Sequence, residues 1–383
     1  NMKFNFLLLA LSLSLWSNAQ QFLNPEPIKS EFLNEDRPYM VYLPHSYNNE
    51  TFVQRKYPVV VLLDGHAHHW YTMQTMAFLS RMKIIPECIL VTIHNTDRTR
   101  DLTPTHSTTM YDGEEGVEFL KNSGSGDNFL NFIYRELLPT VDSTYNTMDL
   151  KIFIGHSFGG LTTMQSFLSN ESPFDAFISM DPSVWWDDNL CLKQLDSAMT
   201  LSERKVWYMT GANNNFYRED TTNIRLTQME FHKKLKKKFP DIRAGYKIYE
   251  DDNHNSVTFP SLYDGLRFIF KNYRITQETQ EDFDLFINHF KQISEEWGVE
   301  FVPSEFIVNE IAYSLYGTDQ FENAQKYFEY NVERYPNSFN AYDSLADFCA
   351  KTGRKKRAIK YYKKSLELNP NNKNAEMILK ELK

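Results

Sequence analysis

Three cysteines in 383 residues, Cys88, Cys191 and Cys349, are too few and too far apart for a disulfide framework or a zinc site. An excess of positive charge is also lacking: the formal net charge of -9 argues against a general nucleic-acid binder. No segment looks disordered, and 42% apolar with 15% aromatic residues is ample for a packed core. No apolar run reaches the ~20 residues that span a bilayer. The one long run, Phe4 to Leu15, follows Met2-Lys3 and leads to Ser17-Asn18-Ala19. A basic start, an apolar stretch and a small-x-small end read as a secretory signal peptide over residues 1–19. Cleavage is expected after Ala19, with an exported product, periplasmic or secreted, and no membrane span. No cysteine follows the cleavage site, so no lipid tether is signalled.

Roughly 360 remaining residues predict two domains. From Ile28 to about Tyr273, strand and helix patterns alternate. Strands are expected at 39–43, 58–63 (PVVVLL), 88–94 (CILVTIH), 151–154, 176–180, 205–210 (KVWYMT) and 245–250. Several are continuous apolar runs, as expected where both faces of a parallel sheet are covered. A helix is predicted over 127–140, capped by Asp127 and ending near Pro139, and another over 221–239. This alternation means an α/β fold, here a doubly wound sheet over residues 20–275.

Beyond it strand patterns cease, and a 34-residue period appears: Ala324 recurs as Ala358, Phe328 as Tyr362, Ile311 as Leu345, and Pro336 as Pro370. Residues 276–383 therefore read as a small all-α domain with about two tetratricopeptide-like repeats. The first copy departs in one respect: Gly317 lies seven residues before Ala324, whereas Gly353 lies five before Ala358. The segment after Thr276 and the final helix, 373–383, are expected to cap the repeats.

The chemistry is carried by Gly155-His156-Ser157-Phe158-Gly159, a G-x-S-x-G pattern between an apolar strand and an apolar-faced helix. A serine there must adopt a strained backbone, so its neighbours two residues away must be small. Ser157 is the candidate nucleophile. Its base is expected later in the chain, after an acid. His254, on the polar loop after the last strand, is the candidate base. The acid is sought after strand 205–210, where Asn213, Asn214 and Asn215 occupy the first positions. Asp220 is favoured and Glu219 is second; a Ser–His dyad or an asparagine orienter stays open. The oxyanion donors are expected to be the amides of Phe158 and of His66, in Asp64-Gly65-His66-Ala67.

With Asp64-Gly65, the run from Asn95 through Arg98, Arg100 and Asp101 to Pro104, and Asp181-Pro-Ser-Val-Trp-Trp186, the chain resembles the putative-esterase family of α/β-hydrolases. That family includes siderophore, feruloyl and acetyl-xylan esterases, S-formylglutathione hydrolase and mycolyltransferases. The resemblance covers about residues 25–275 and implies Ser157 and His254 as catalytic residues, with His66 in the oxyanion loop. It implies a metal-free, cofactor-free hydrolase of carboxylic esters. The family's acid does not carry over cleanly, because of the asparagine run.

His66-Ala67-His68-His69 lacks the aspartate of a binuclear hydrolase motif, and no H-E-x-x-H occurs. Trp185 and Trp186 are expected either to stack on an aromatic or saccharide substrate or to pack beneath a loop. Arg98 and Arg100 are expected to attract an anion or to pair with Asp97 and Asp101. The reading is an exported serine esterase for a siderophore lactone or an acylated or feruloylated saccharide. An acyltransferase and an inactive esterase-like binding protein are the alternatives. The repeats are expected to bind a protein partner, shape the active-site mouth or mediate self-association.

Overall fold

The computed structural model describes residues 21–53, 55–213 and 224–382. Its strands are β1 (Gln21–Leu23), β2 (Ile28–Ser30), β3 (Glu35–Arg37), β4 (Tyr39–Leu43), β5 (Tyr57–Leu62), β6 (Ile89–Ile93), β7 (Thr147–His156), β8 (Ala176–Met180), β9 (Val206–Ala212) and β10 (Arg243–Tyr249). Eight of them form one sheet, in the order β1-β4-β6-β5-β7-β8-β9-β10. From β6 to β10 neighbouring strands run parallel, while β4 and β1 add an antiparallel edge. Every residue of β5, β6, β8 and β9 is buried, which accounts for their unbroken apolar runs. The short strands β1 to β3 are absent from the sequence expectations, being too brief for a periodic signal.

Around this sheet lie α1 (Gly65–Arg81), α2 (Arg98–Leu102), α3 (Gly126–Phe132), α4 (Leu138–Thr144), α5 (Phe158–Leu168), α6 (Trp186–Ser197), α7 (Ile224–Lys238) and α8 (Thr258–Ile269). The helix expected to stop near Pro139 continues to Thr144. A π-helical turn at Ile133–Leu137 intervenes, so α4 restarts with Pro139 in its first turn, where no N–H is required. Moving out from β5, the chain places β6 on one side and β7 on the other. Such a reversal opens a crevice at the carboxyl ends of the strands, where ligands bind in open α/β sheets.

By compactness the chain divides into two units, with a boundary at Arg274/Ile275. The second unit also takes His45–Arg55, between β4 and β5, which a simple division at 275 places with the sheet. Within that unit the Val53 N–H donates to buried Glu305 Oε2 (3.1 Å), and the Phe52 ring packs edge-on to Phe306. Its helices are α9 (Gln277–Glu281), α10 (Phe283–Trp297), α11 (Glu305–Gly317), α12 (Phe321–Arg334), α13 (Phe339–Lys351), α14 (Lys355–Leu368) and α15 (Lys373–Glu381). Helix caps share the 34-residue period: Ser304, Ser338 and Asn372 each accept a backbone N–H three residues on. The turn between paired helices has Gly353 at φ 75° in one copy and Asp319 at φ 61° in the other. Asp319 therefore fills the left-handed position that glycine fills 34 residues later. That explains why Gly317 is out of register.

Candidate active site

β7 ends at His156, and α5 begins at Phe158. Ser157 between them has φ 60° and ψ -116°, a conformation that L-residues adopt only when their surroundings enforce it. Its N–H donates to Met180 O (3.0 Å), and its carbonyl accepts from Leu161 and Ser183. A Cβ on Gly155 would lie 2.2 Å from Gly159 O, so the turn closes only with glycine there. Ser157 itself is half-buried and thus reachable.

His254 lies in the loop between β10 and α8. Asn253 Oδ1 organises that loop by accepting the N–H groups of Asn255 (2.9 Å) and Ser256 (3.0 Å). His254 Nδ1 is 2.6 Å from Asp181 Oδ2. The carboxylate side chain is 2% exposed, the imidazole 42%. Asp181 follows β8, the strand beside the serine's, and has φ 40°. Its Oδ1 accepts from Gln228 Nε2 (2.9 Å) and from the Ala212 N–H (3.2 Å). Gln228 is itself buried and also receives the Tyr246 hydroxyl.

Among the described residues the carboxylate on His254 is Asp181, whereas Asp220 and Glu219, the expected acids, lie outside the described residues. The signal was present. Asp181 opens Asp181-Pro-Ser-Val-Trp-Trp186 and directly follows the strand next to that of Ser157, but it precedes the loop in which acids were sought. Asn213 donates its amide N–H to Glu250 O (3.1 Å), and Asn214 and Asn215 lie outside the described residues.

On the other side of the serine, Leu63 N–H donates to Ile154 O (3.0 Å), which joins the end of β5 to β7. Asp64 turns the chain at φ 52°, and α1 starts at once. Ala67 and His68 N–H groups bond back to Asp64 O, whereas Gly65 and His66, one turn too early, have no intrahelical acceptor. Phe158, first in α5, is in the same situation. The two amides expected as oxyanion donors thus both belong to first helical turns. The His66 side chain is exposed, edge-on to His94.

The Asp64 carboxylate is buried and held by Arg98 through Nε (2.7 Å) and Nη2 (3.0 Å), and by Asn95 Nδ2 (2.5 Å). Burial opposes its ionisation, but the Arg98 guanidinium keeps its pKa below the usual carboxylate value. Arg98 Nη2 also donates to His156 O (3.3 Å), and its guanidinium stands 5.5 Å from the Phe158 ring centroid. Arg98 therefore ties the β5 loop to the serine turn, rather than pairing with Asp97 or Asp101. Arg100 does pair with Asp101 (2.7 Å) and with Glu35.

Trp186 is fully buried and donates Nε1–H to Thr105 Oγ1 (3.1 Å). Of the two expectations for Trp186, stacking on substrate and packing beneath a loop, the structure shows packing: the ring lies edge-on to Phe158 and is closed to substrate. Trp185 is half-buried, with ring centroids 6.1 Å from Phe158 and 5.6 Å from Tyr111. These three rings form an aromatic wall beginning one residue from Ser157. Among the described residues, no three His, Cys, Asp or Glu side chains are grouped to hold a metal ion. A separate cavity of about 520 Å³ in the helical unit is lined by Phe290, Ser294, Glu300, Phe301, Tyr330 and Glu333 among others.

Residues 30–266 match the family described as putative esterase. The chain belongs to that family. Residues 339–372 match the tetratricopeptide repeat. This esterase-family chain is 27% identical over 184 residues to the ferri-bacillibactin esterase BesA of Bacillus subtilis, a match covering 45% of this chain and 62% of that protein. The matched stretch is thus less than two thirds of that relative's length. The crystal structure of an IroE-like serine hydrolase from Shewanella oneidensis is similar with a TM-score of 0.72 and 29% identity, covering 83% of this chain and 100% of the other. An uncharacterised protein from Capnocytophaga ochracea (TM-score 0.60, 18% identity) shares the fold across 94% of this chain and 99% of its own. No described helix is long and apolar enough to cross a membrane.

Proposed function

We propose that this protein is an exported serine esterase that cleaves carboxylic esters with Ser157, His254 and Asp181. The observation carrying the proposal is the 2.6 Å link from His254 Nδ1 to buried Asp181, one strand from the strained Ser157 turn. Ser157 Oγ attacks the ester carbonyl while His254 Nε2 takes its proton. Asp181 accepts the Nδ1–H, which sets the tautomer and stabilises the imidazolium. The Phe158 and His66 amides stabilise the oxyanion. His254 then protonates the departing alcohol, and water resolves the acyl-enzyme by the reverse sequence. Asp181 is a carboxylate, so an inactive scaffold lacking its acid is disfavoured. The substrate class we propose is an ester with an aromatic or saccharide acyl partner, such as a siderophore lactone or a feruloylated saccharide. The named activity of the Bacillus relative and the Trp185–Tyr111 wall support it.

Fluorophosphonate labelling of wild type, S157A, H254A and D181N tests the mechanism. Labelling is expected to vanish in S157A, and ester turnover to fall about 10⁴-fold in D181N. Turnover by S157A equal to wild type would overturn the reading. Measurement of the mature N-terminus and of its compartment tests export.

A further inference from the structure

Resting on that serine-esterase reading, we propose that His156, the residue before the nucleophile, is a positioning residue that fixes the catalytic loop by donating a hydrogen bond to the His254 carbonyl. His156 Nε2 lies 2.7 Å from His254 O. A carbonyl only accepts, so Nε2 carries the proton. The His156 ring is 7% exposed, 4.5 Å from the His254 ring by centroids and edge-on to His68 at 5.5 Å. Burial, with His254 and His68 as further causes, pushes its pKa down to about 3, so the donor is neutral at ordinary pH. A neutral donor matters here, because His254 must become an imidazolium beside it during acylation. Asp181, on the far side of His254, is the anion that favours that charge.

His254 is thus held both by its side chain on Asp181 and by its main chain on His156. Both anchors are keyed to the nucleophile. His156 immediately precedes Ser157, and Asp181 immediately follows Met180, whose carbonyl takes the Ser157 N–H. A displacement of the serine turn would therefore carry both anchors with it and preserve the distance across which the proton moves. Losses of about 100-fold accompany ångström-scale misplacement of a catalytic group.

Two substitutions separate the hydrogen bond from simple packing. H156F keeps ring volume and removes the donor; H156Q keeps a donor amide and removes the ring. With a nitrophenyl ester as probe, H156F is expected to lower kcat about 10- to 100-fold, with KM changed less than about threefold. H156Q is expected to recover most of kcat. Long-range 1H–15N spectra of the histidine rings give a readout independent of turnover. The His254 signals should change position or tautomer balance in H156F and return towards wild type in H156Q. Unchanged His254 signals in H156F overturn the proposal whether or not the protein turns over ester. Equal kcat loss in H156F and H156Q, matched by equal loss of Tm, also overturns it, in favour of packing. Failure of wild type to label with fluorophosphonate, with normal His254 behaviour, faults the esterase reading alone.

Discussion

The two units bury charge very differently. In the sheet unit Arg37, Asp64, Asp101, Lys151, Asp181 and Lys205 are all buried, and most are tied to loops at the sheet's ends; among the described residues of the helical unit, Glu305 is the single buried charged side chain. Burying an ion costs several kcal/mol unless partners compensate, so such groups are weak contributors to stability. What they supply is geometry. Arg37 of β3 reaches Asp101 (2.7 Å), and Arg98 grips Asp64 and the His156 carbonyl, so that the segments after β5 and β6 are held beside Ser157. The helical unit does this through Glu305, which accepts the Val53 N–H of the 45–55 segment (3.1 Å). Its core is Ala324, Phe328, Leu345, Phe348, Ala358 and Tyr362 from neighbouring helices, a local packing scheme that repeats every 34 residues.

The largest expected contrast comes from uncoupling a buried charge. R37L leaves Asp101 with Arg100 alone and should cost the sheet unit about 3–5 kcal/mol in denaturant unfolding. R37L/D101L should recover much of that loss. An equal cost for single and double variants would mean the pair acts as packing. L345A, in the helical core, should lower stability by about 2–5 kcal/mol while leaving turnover per folded molecule unchanged. A fall in turnover with intact folding would show that the helical unit takes part in the reaction.

Acid sharpens the contrast. His156 has a pKa near 3 when folded, against an ordinary value of 6.5. The unfolded chain therefore binds its proton first as pH falls, and stability is lost progressively between about pH 6.5 and pH 3, by about a few kcal/mol. Unfolding of H156Q should lack that component of the slope. The smallest effect is expected at Asp319: D319G relieves a left-handed aspartate at φ 61° and should change the helical unit's stability by no more than about 1 kcal/mol, in the stabilising direction.

Much of this was legible beforehand. β4 and β8 lie at the predicted residues, and the longer strands differ by a few residues at their ends. Ser157 and His254 could be singled out because their motif and loop are local signals. The His254–Asp181 pairing had no such signal. It depends on which of several carboxylates a folded loop brings to an imidazole 73 residues away in the chain. Trp186 stayed between stacking and packing for a related reason, since adjacent tryptophans look alike in sequence although only Trp186 is wholly buried. The grouping of 45–55 with the helices was equally invisible, because it rests on Val53 and Phe52 meeting Glu305 and Phe306 some 250 positions later.

The sequence by itself determined what short-range periodicity and sterics dictate: a covered parallel sheet, a glycine-flanked serine at a strand–helix turn, and helices repeating every 34 residues. Tertiary structure alone decided which carboxylate faces His254, that Arg98 clamps Asp64, and that His156 reaches the catalytic loop. The reason is physical. Backbone propensity and apolar period act over a few residues, whereas hydrogen bonds between buried polar groups join whatever partners the packed fold leaves within about 3 Å.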